Sequence, residues 1–195
     1  MSSYTAPWYI CGGWAVDAWL GRITRDHGDV DVSVFVQDQR ALFEHLDGWQ
    51  LLAHDPAWSP SENTAWWDGR RDLSATTHIH ARPPELSGAV PEQGIATAEE
   101  GFNLEFYLDD RDGDDWTLLR DPPVSIPISD AVKTSPWGVP AAVPEVLLFF
   151  KSRDMRRRDK LDFGALLPGL TREQRAWLRD AIARAGHPWL SGLDR

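Results

Sequence analysis

The sequence predicts a mixed α/β fold to about residue 136, followed by a helical part over 137–195. Three observations carry this. "DVDVSVFV" (29–36) alternates apolar and polar residues with the period of a half-buried strand. "FNLEFYLDDRDGDDWTLL" (102–119) alternates on both sides of an Asp-Gly pair, the pattern of a hairpin. Beyond the proline-rich "TSPWGVPAAVP" (134–144), the apolar residues change to helical spacing. At 195 residues the chain can bury one substantial core with a small satellite.

Taken in order, "WYIC" (8–11) is a short apolar run ending in two glycines, which predicts a buried strand and a tight turn. Trp14, Val16, Trp19 and Leu20 then suit one buried helix, closed by Gly21. In the next strand Val30, Val32, Val34 and Val36 make one face, and Asp29, Asp31, Ser33 and Phe35 the other. Residues 38–49 read as a helix through Leu42, Phe43 and Leu46, and 75–81 as a strand. Pro83 to Gly94 reads as a loop-rich connection. In the hairpin, Leu104, Phe106 and Leu108 would face inward and Asn103, Glu105 and Tyr107 outward, with the turn at Asp112-Gly113. One helix is expected from Glu145 to Arg158, with Pro144 in its first turn. A last helix begins at the capping-box pair Thr171 and Gln174.

The composition excludes some functions. A net charge of -10 repels phosphate backbones and favours cationic ligands, so no nucleic-acid partner is expected. The single cysteine, Cys11, rules out an internal disulfide. No apolar run reaches the roughly 18 residues of a membrane span, and the amino terminus lacks the pattern of a signal peptide. The expectation is a cytoplasmic protein without a membrane partner; no oligomeric state follows from the sequence.

The chemistry concentrates at Asp29 and Asp31. On a strand the two lie on one face with backbones about 7 Å apart, so their carboxylates can converge on a hard cation such as Mg²⁺. A strand turning through Gly12 and Gly13 into a helix presents backbone N–H groups at a positive dipole end, which suits phosphate. Together these are the parts of metal-assisted phosphoryl or nucleotidyl transfer.

"GGWAVDAWLGRITRDHGDVDVSV" resembles the signature of the polymerase-β-like nucleotidyltransferases, and within them the aminoglycoside 2''-adenylyltransferase-like family. "PEVLLFFKSRDMRRRDKLDFGALLP" (144–168) is similar to the carboxy-terminal helical motif of the same family. The resemblance implies a twisted mixed sheet with flanking helices and a small helical subdomain. It implies Mg²⁺ on Asp29 and Asp31 and a third carboxylate on a later strand as metal ligand or catalytic partner, for which Glu105 is the natural candidate and Asp109 and Asp110, on or just beyond the same strand, are the alternatives. It implies contacts to the nucleotide from Gly12, Gly13, Arg25, Lys151 and Arg158. The activity it implies is transfer of AMP from ATP to a hydroxyl of a small cationic acceptor, with release of pyrophosphate. Gly13 stands where the wider superfamily often has serine, and Arg158 where a lysine is usual. Rival readings are a nucleotidyltransferase acting on a protein or tRNA, and a degenerate member that only binds nucleotide.

Other motifs have plainer readings. His78 and His80 share a strand face but have no cysteine or third histidine near them in sequence, so they read as polar strand residues or acceptor-pocket lining. "DDRDGDDW" (109–116) reads as a solvated turn. "RDMRRRDK" (153–160) reads as a local patch with its own salt bridges.

Overall fold

The computed structural model describes residues 1, 3–60, 63–86, 104–120, 123–154 and 156–189. In chain order these form β1 (Trp8–Ile10), α1 (Gly12–Leu20), β2 (Val30–Phe35), α2 (Gln39–His45), β3 (Gln50–His54), β4 (Thr64–Trp66), β5 (His78–Arg82), β6 (Leu104–Asp112), β7 (Asp115–Arg120), β8 (Pro123–Pro127), α3 (Ile128–Ala131), β9 (Val132–Thr134), β10 (Pro140–Ala142), α4 (Pro144–Lys151), α5 (Arg157–Leu166) and α6 (Arg172–Ala185). The mixed α/β class expected from the sequence is the class observed. Two compact units divide the chain: Met1–Tyr9 with His27–Arg111, and Ile10–Asp26 with Asp112–Arg195.

In the first unit the strand order is β4-β3-β5-β6-β2. β2 and β6 are parallel, with Asp31 opposite Glu105; the neighbouring pairs β5–β6, β3–β5 and β3–β4 are antiparallel. One face of this sheet is the core. Val32, Val34, Ile79, Ala81, Phe106 and Leu108 are buried there with Leu42 of α2 and with Trp58 and Trp67. Burying each large apolar side chain is worth about 1.5 to 3 kcal/mol. The alternation read in β2 and β6 therefore places their polar residues on the opposite face. β3 and β4 lie in a stretch for which the sequence suggested no element. Three successive buried residues in β3, Leu51, Leu52 and Ala53, break the period of two that would have revealed it.

In the second unit α1 starts at Gly12 and ends where Gly21 takes φ 67°, the left-handed cap that the sequence suggested. The glycines thus form the helix's own first turn, and Gly12 at φ 63° occupies a conformation that disfavours a side chain. Trp19 Nε1 donates to the Ala142 carbonyl at 2.7 Å, fixing α1 to β10. β10 is also parallel to the end of β1, with Ile10 opposite Ala141, and antiparallel to β9. β7 and β8 form an antiparallel pair.

The single helix expected over 145–158 is two helices. Ser152 Oγ donates to the Phe149 carbonyl at the end of α4, and the backbone N–H of Arg156 donates to Asp159 Oδ2 at 3.0 Å, which caps the start of α5. The Thr171–Gln174 capping box and a left-handed Gly186 bound α6 as a regular helix. The hairpin turn falls at Gly113–Asp114, one residue beyond the expected pair. Among the described residues no helix is long and apolar enough to cross a membrane.

Candidate functional site

The polar face of the first unit's sheet carries the candidate chemistry. The strand registers align Asp31, Glu105, His80 and Leu52 in one row across β2, β6, β5 and β3, and Ser33, Tyr107, His78 and His54 in the next. Asp29, two residues before Asp31, returns to the same face. One carboxylate oxygen from each of Asp29, Asp31 and Glu105 lies within 4.8 Å of the others. The three acidic residues singled out from the sequence therefore meet.

Ionised carboxylates brought this close repel one another. A divalent cation would relieve this. The donor set is entirely carboxylate oxygen, the hard ligand type that suits Mg²⁺ and leaves its remaining positions to water and phosphate.

Glu105 is held in place from two sides. Tyr107 donates its hydroxyl to Glu105 Oε2 at 2.9 Å, and His80 Nδ1 lies 3.3 Å from Oε1. The His80 hydrogen bond, with that of Tyr107, outweighs the cost of burial and keeps the Glu105 carboxyl below its ordinary range. It is ionised at neutral pH.

Asp109 lies on the same face of β6 but four residues further on, about 13 Å along the strand. It accepts a hydrogen bond from Tyr9. Desolvation pushes its carboxyl up to about 6, against the hydrogen bonds of Tyr9 and Ser33. Glu105, not Asp109, is the carboxylate that sits with the aspartates.

A second cluster was not foreseen. His54 stands opposite His78 in the β3–β5 register, and a ring nitrogen from each of His54, His78 and His80 lies within 4.8 Å of the others. Burial, then the neighbouring imidazoles of His54 and His80, push His78 down to about 4, so it is neutral at physiological pH. Reading 75–81 as a strand gave two of these residues their common face. The third was hidden because β3 was not read as a strand.

In the second unit the basic residues singled out from the sequence are placed as follows. Lys151 ends α4, is only 9% exposed, and sets its Nζ 2.7 Å from Asp162 Oδ2 and 3.8 Å from Asp159 Oδ1. Arg25 grips the same Asp162 through Nε at 3.3 Å and a second guanidinium nitrogen at 3.4 Å. Arg158 is exposed on α5. Asp17 is buried in α1 and accepts hydrogen bonds from the backbone and hydroxyl of Thr24, so it braces the loop carrying Arg25. Gly12 and Gly13 sit at the amino-terminal end of α1, where helical N–H groups lack intrahelical acceptors. The same unit has a cavity of about 360 Å³ lined in part by Trp19, Lys133, Glu145 and Gln174.

Comparison with known proteins agrees with the resemblance seen in the sequence. Residues 1–80 match the family model described as aminoglycoside-2''-adenylyltransferase. Curated 2''-aminoglycoside nucleotidyltransferases of Escherichia coli and Klebsiella pneumoniae are 37% identical over an alignment covering 29% of this chain and 42% of theirs. The chain thus spans less than half the length of the curated relatives it matches. Among solved structures, the crystal structure of ANT(2")-Ia in complex with adenylyl-2"-tobramycin superposes with a TM-score of 0.55 at 14% identity, covering 92% of this chain and 88% of that one. The solution structure of the antibiotic-resistance factor ANT(2'')-Ia gives 0.53 at 16% identity, covering 96% and 85%. At such identities the likeness shows a shared fold and nothing beyond it.

Proposed function

We propose that this chain is a magnesium-dependent nucleotidyltransferase that moves AMP from ATP to a hydroxyl of a small cationic acceptor of the aminoglycoside type, releasing pyrophosphate. The observation that carries the reading is the convergence of Asp29, Asp31 and Glu105 on one sheet face, in a chain whose first 80 residues match the aminoglycoside-2''-adenylyltransferase model.

In this reading Asp29, Asp31 and Glu105 hold the ion. Bound there, Mg²⁺ would neutralise charge on the triphosphate. Glu105, ionised at neutral pH, accepts the proton of the acceptor hydroxyl as the oxygen attacks the α-phosphorus. The new oxygen–phosphorus bond forms as the bond from the α-phosphorus to the α–β bridging oxygen breaks, and pyrophosphate leaves with that oxygen. His80 and Tyr107 orient Glu105 for the transfer. The N–H groups at Gly12 and Gly13 together with Arg25, Lys151 and Arg158 are the proposed phosphate contacts, with Asp162 setting the positions of Arg25 and Lys151. The net charge of -10 favours a polycationic acceptor, and a cytoplasmic location is part of the same reading, because ATP is the donor.

The test is incubation with ATP, Mg²⁺ and a panel of aminoglycosides, reading pyrophosphate release and the mass of the acceptor. The expected result is an acceptor heavier by one AMP moiety, dependent on metal and lost in D31N. Pyrophosphate release by D31N at the wild-type rate would remove the proposed mechanism.

A further inference from the structure

Beside the carboxylates, three imidazoles gather on the same sheet face. His54 and His78 stack with ring centroids 4.5 Å apart and planes inclined by 17°. His80 stands edge-on to both, at 5.4 and 5.2 Å. All three are partly buried, and the neighbouring Tyr107 ring lies parallel to His78 at 6.0 Å. Among the described residues the His78 imidazole makes ring contacts and no side-chain hydrogen bond. Partly burying three imidazoles against one another forfeits hydration, and stacking recovers little of it.

The flanking groups supply a reason for the arrangement. Thr64 Oγ1 lies 2.5 Å from His54 Nδ1, and Glu105 Oε1 lies 3.3 Å from His80 Nδ1. A carboxylate on the Nδ1–H of a histidine fixes the tautomer with the lone pair on Nε2 and strengthens that nitrogen as a donor to a metal. Thr64 can orient His54 in the same way.

We infer that His54, His78 and His80 form a binding site for a divalent transition ion of the zinc class, separate in its chemistry from the carboxylate site. Imidazole nitrogen selects zinc-like ions, whereas an all-carboxylate set selects magnesium. Three histidines fill three tetrahedral positions and leave the fourth to water. Zinc–nitrogen bonds of about 2.0 to 2.1 Å place the ligand nitrogens roughly 3.4 Å apart, so from a 4.8 Å limit the nitrogens must close by at most about 1.4 Å through side-chain rotation. The ligands come from two adjacent antiparallel strands, so the ion pins β3 to β5. Through His80 it also fixes the position of Glu105. The inference stands on the histidine geometry and does not require the nucleotidyl-transfer reading.

Cobalt(II), a spectroscopic stand-in for zinc, tests the site in the full chain. The expected result is one equivalent bound with the intense visible absorption of a low-coordinate nitrogen site. Zinc bleaches it and excess magnesium does not. H78N and H54N lose the band and bind cobalt at least about a hundredfold more weakly, T64V keeps it with affinity reduced about tenfold, and D31N retains it unchanged. Zinc also raises the unfolding temperature of the wild-type chain more than that of H78N. The inference is overturned if the wild-type chain gives no such band, if H78N gives the same band, or if D31N abolishes it while H78N does not. Should one histidine variant fail to fold, the wild-type spectrum and its competition by zinc and magnesium still decide.

Discussion

Two carboxylate clusters in this molecule are built from the same residue types and have opposite characters. In the second unit Asp159 and Asp162 are buried, and the chain brings its own cations to them: Lys151 between the two, Arg25 on Asp162 and Arg156 on Asp159. In the first unit Asp29, Asp31 and Glu105 meet on a partly open sheet face, and the groups that touch Glu105 are an imidazole and a phenol. The difference teaches how to read an acidic cluster. One neutralised by lysine and arginine holds helices together; one left to gather negative charge on a rigid sheet is suited to an ion from solution. The network at Asp162 also shows how a basic residue marked for phosphate by a sequence motif can be fixed by its own carboxylate partners.

This comparison can be broken by exchanging what each cluster depends on. The largest effect is expected on turnover: D31N should lose about a thousandfold or more in rate, equivalent to roughly 4 kcal/mol of transition-state stabilisation, while metal-free D31N unfolds no earlier than the wild type. Steady-state pyrophosphate release and circular dichroism check the two halves of this statement. Next, K151M leaves two buried carboxylates without their shared cation and should cost about 3 to 5 kcal/mol of stability in denaturant unfolding. If K151M were neutral and D31N strongly destabilised, the two clusters would have been assigned the wrong way round.

A smaller effect is expected from the ion itself. At a hundredfold excess over its Kd, Mg²⁺ should stabilise the wild-type chain by about 2.7 kcal/mol, and D31N by much less, in thermal unfolding. The smallest effect concerns pH. His78 titrates near 4 in the fold because of burial and its imidazole neighbours, against an ordinary value of 6.5. The unfolded chain therefore binds the proton more readily, so this contribution to stability is complete above about 6.5 and is lost as pH falls toward 4. In metal-free buffer, the difference in unfolding free energy between wild type and H78N should shrink between pH 7 and pH 4.5.

The legible parts of this molecule are those where local chemistry and tertiary context agree. β2 and β6 alternate cleanly because one face packs against Leu42, Trp58 and Trp67, and that same alternation points Asp31 and Glu105 to the other face. Gly21 and Thr171–Gln174 bound their helices through conformations and hydrogen bonds that only a few residue types provide. β3 was illegible because Leu51, Leu52 and Ala53 are buried in succession, and with it went His54 and the third member of the histidine cluster. The break between α4 and α5 was equally hidden. Residues 152–158 are helix-compatible, and only the capping of Arg156 by Asp159 reveals the restart. β8 and β10 begin at prolines, which read as loop in sequence yet are tolerated at the first residue of a strand.

The most direct measurement of the central claim is calorimetric titration of the wild-type chain and D31N with ATP, with and without Mg²⁺. The account predicts binding to the wild type that requires the ion and that D31N weakens by at least tenfold, with both proteins equally folded. ATP binding of equal strength in the two proteins, or binding indifferent to Mg²⁺, would contradict the assignment of Asp29, Asp31 and Glu105 as the metal–nucleotide centre.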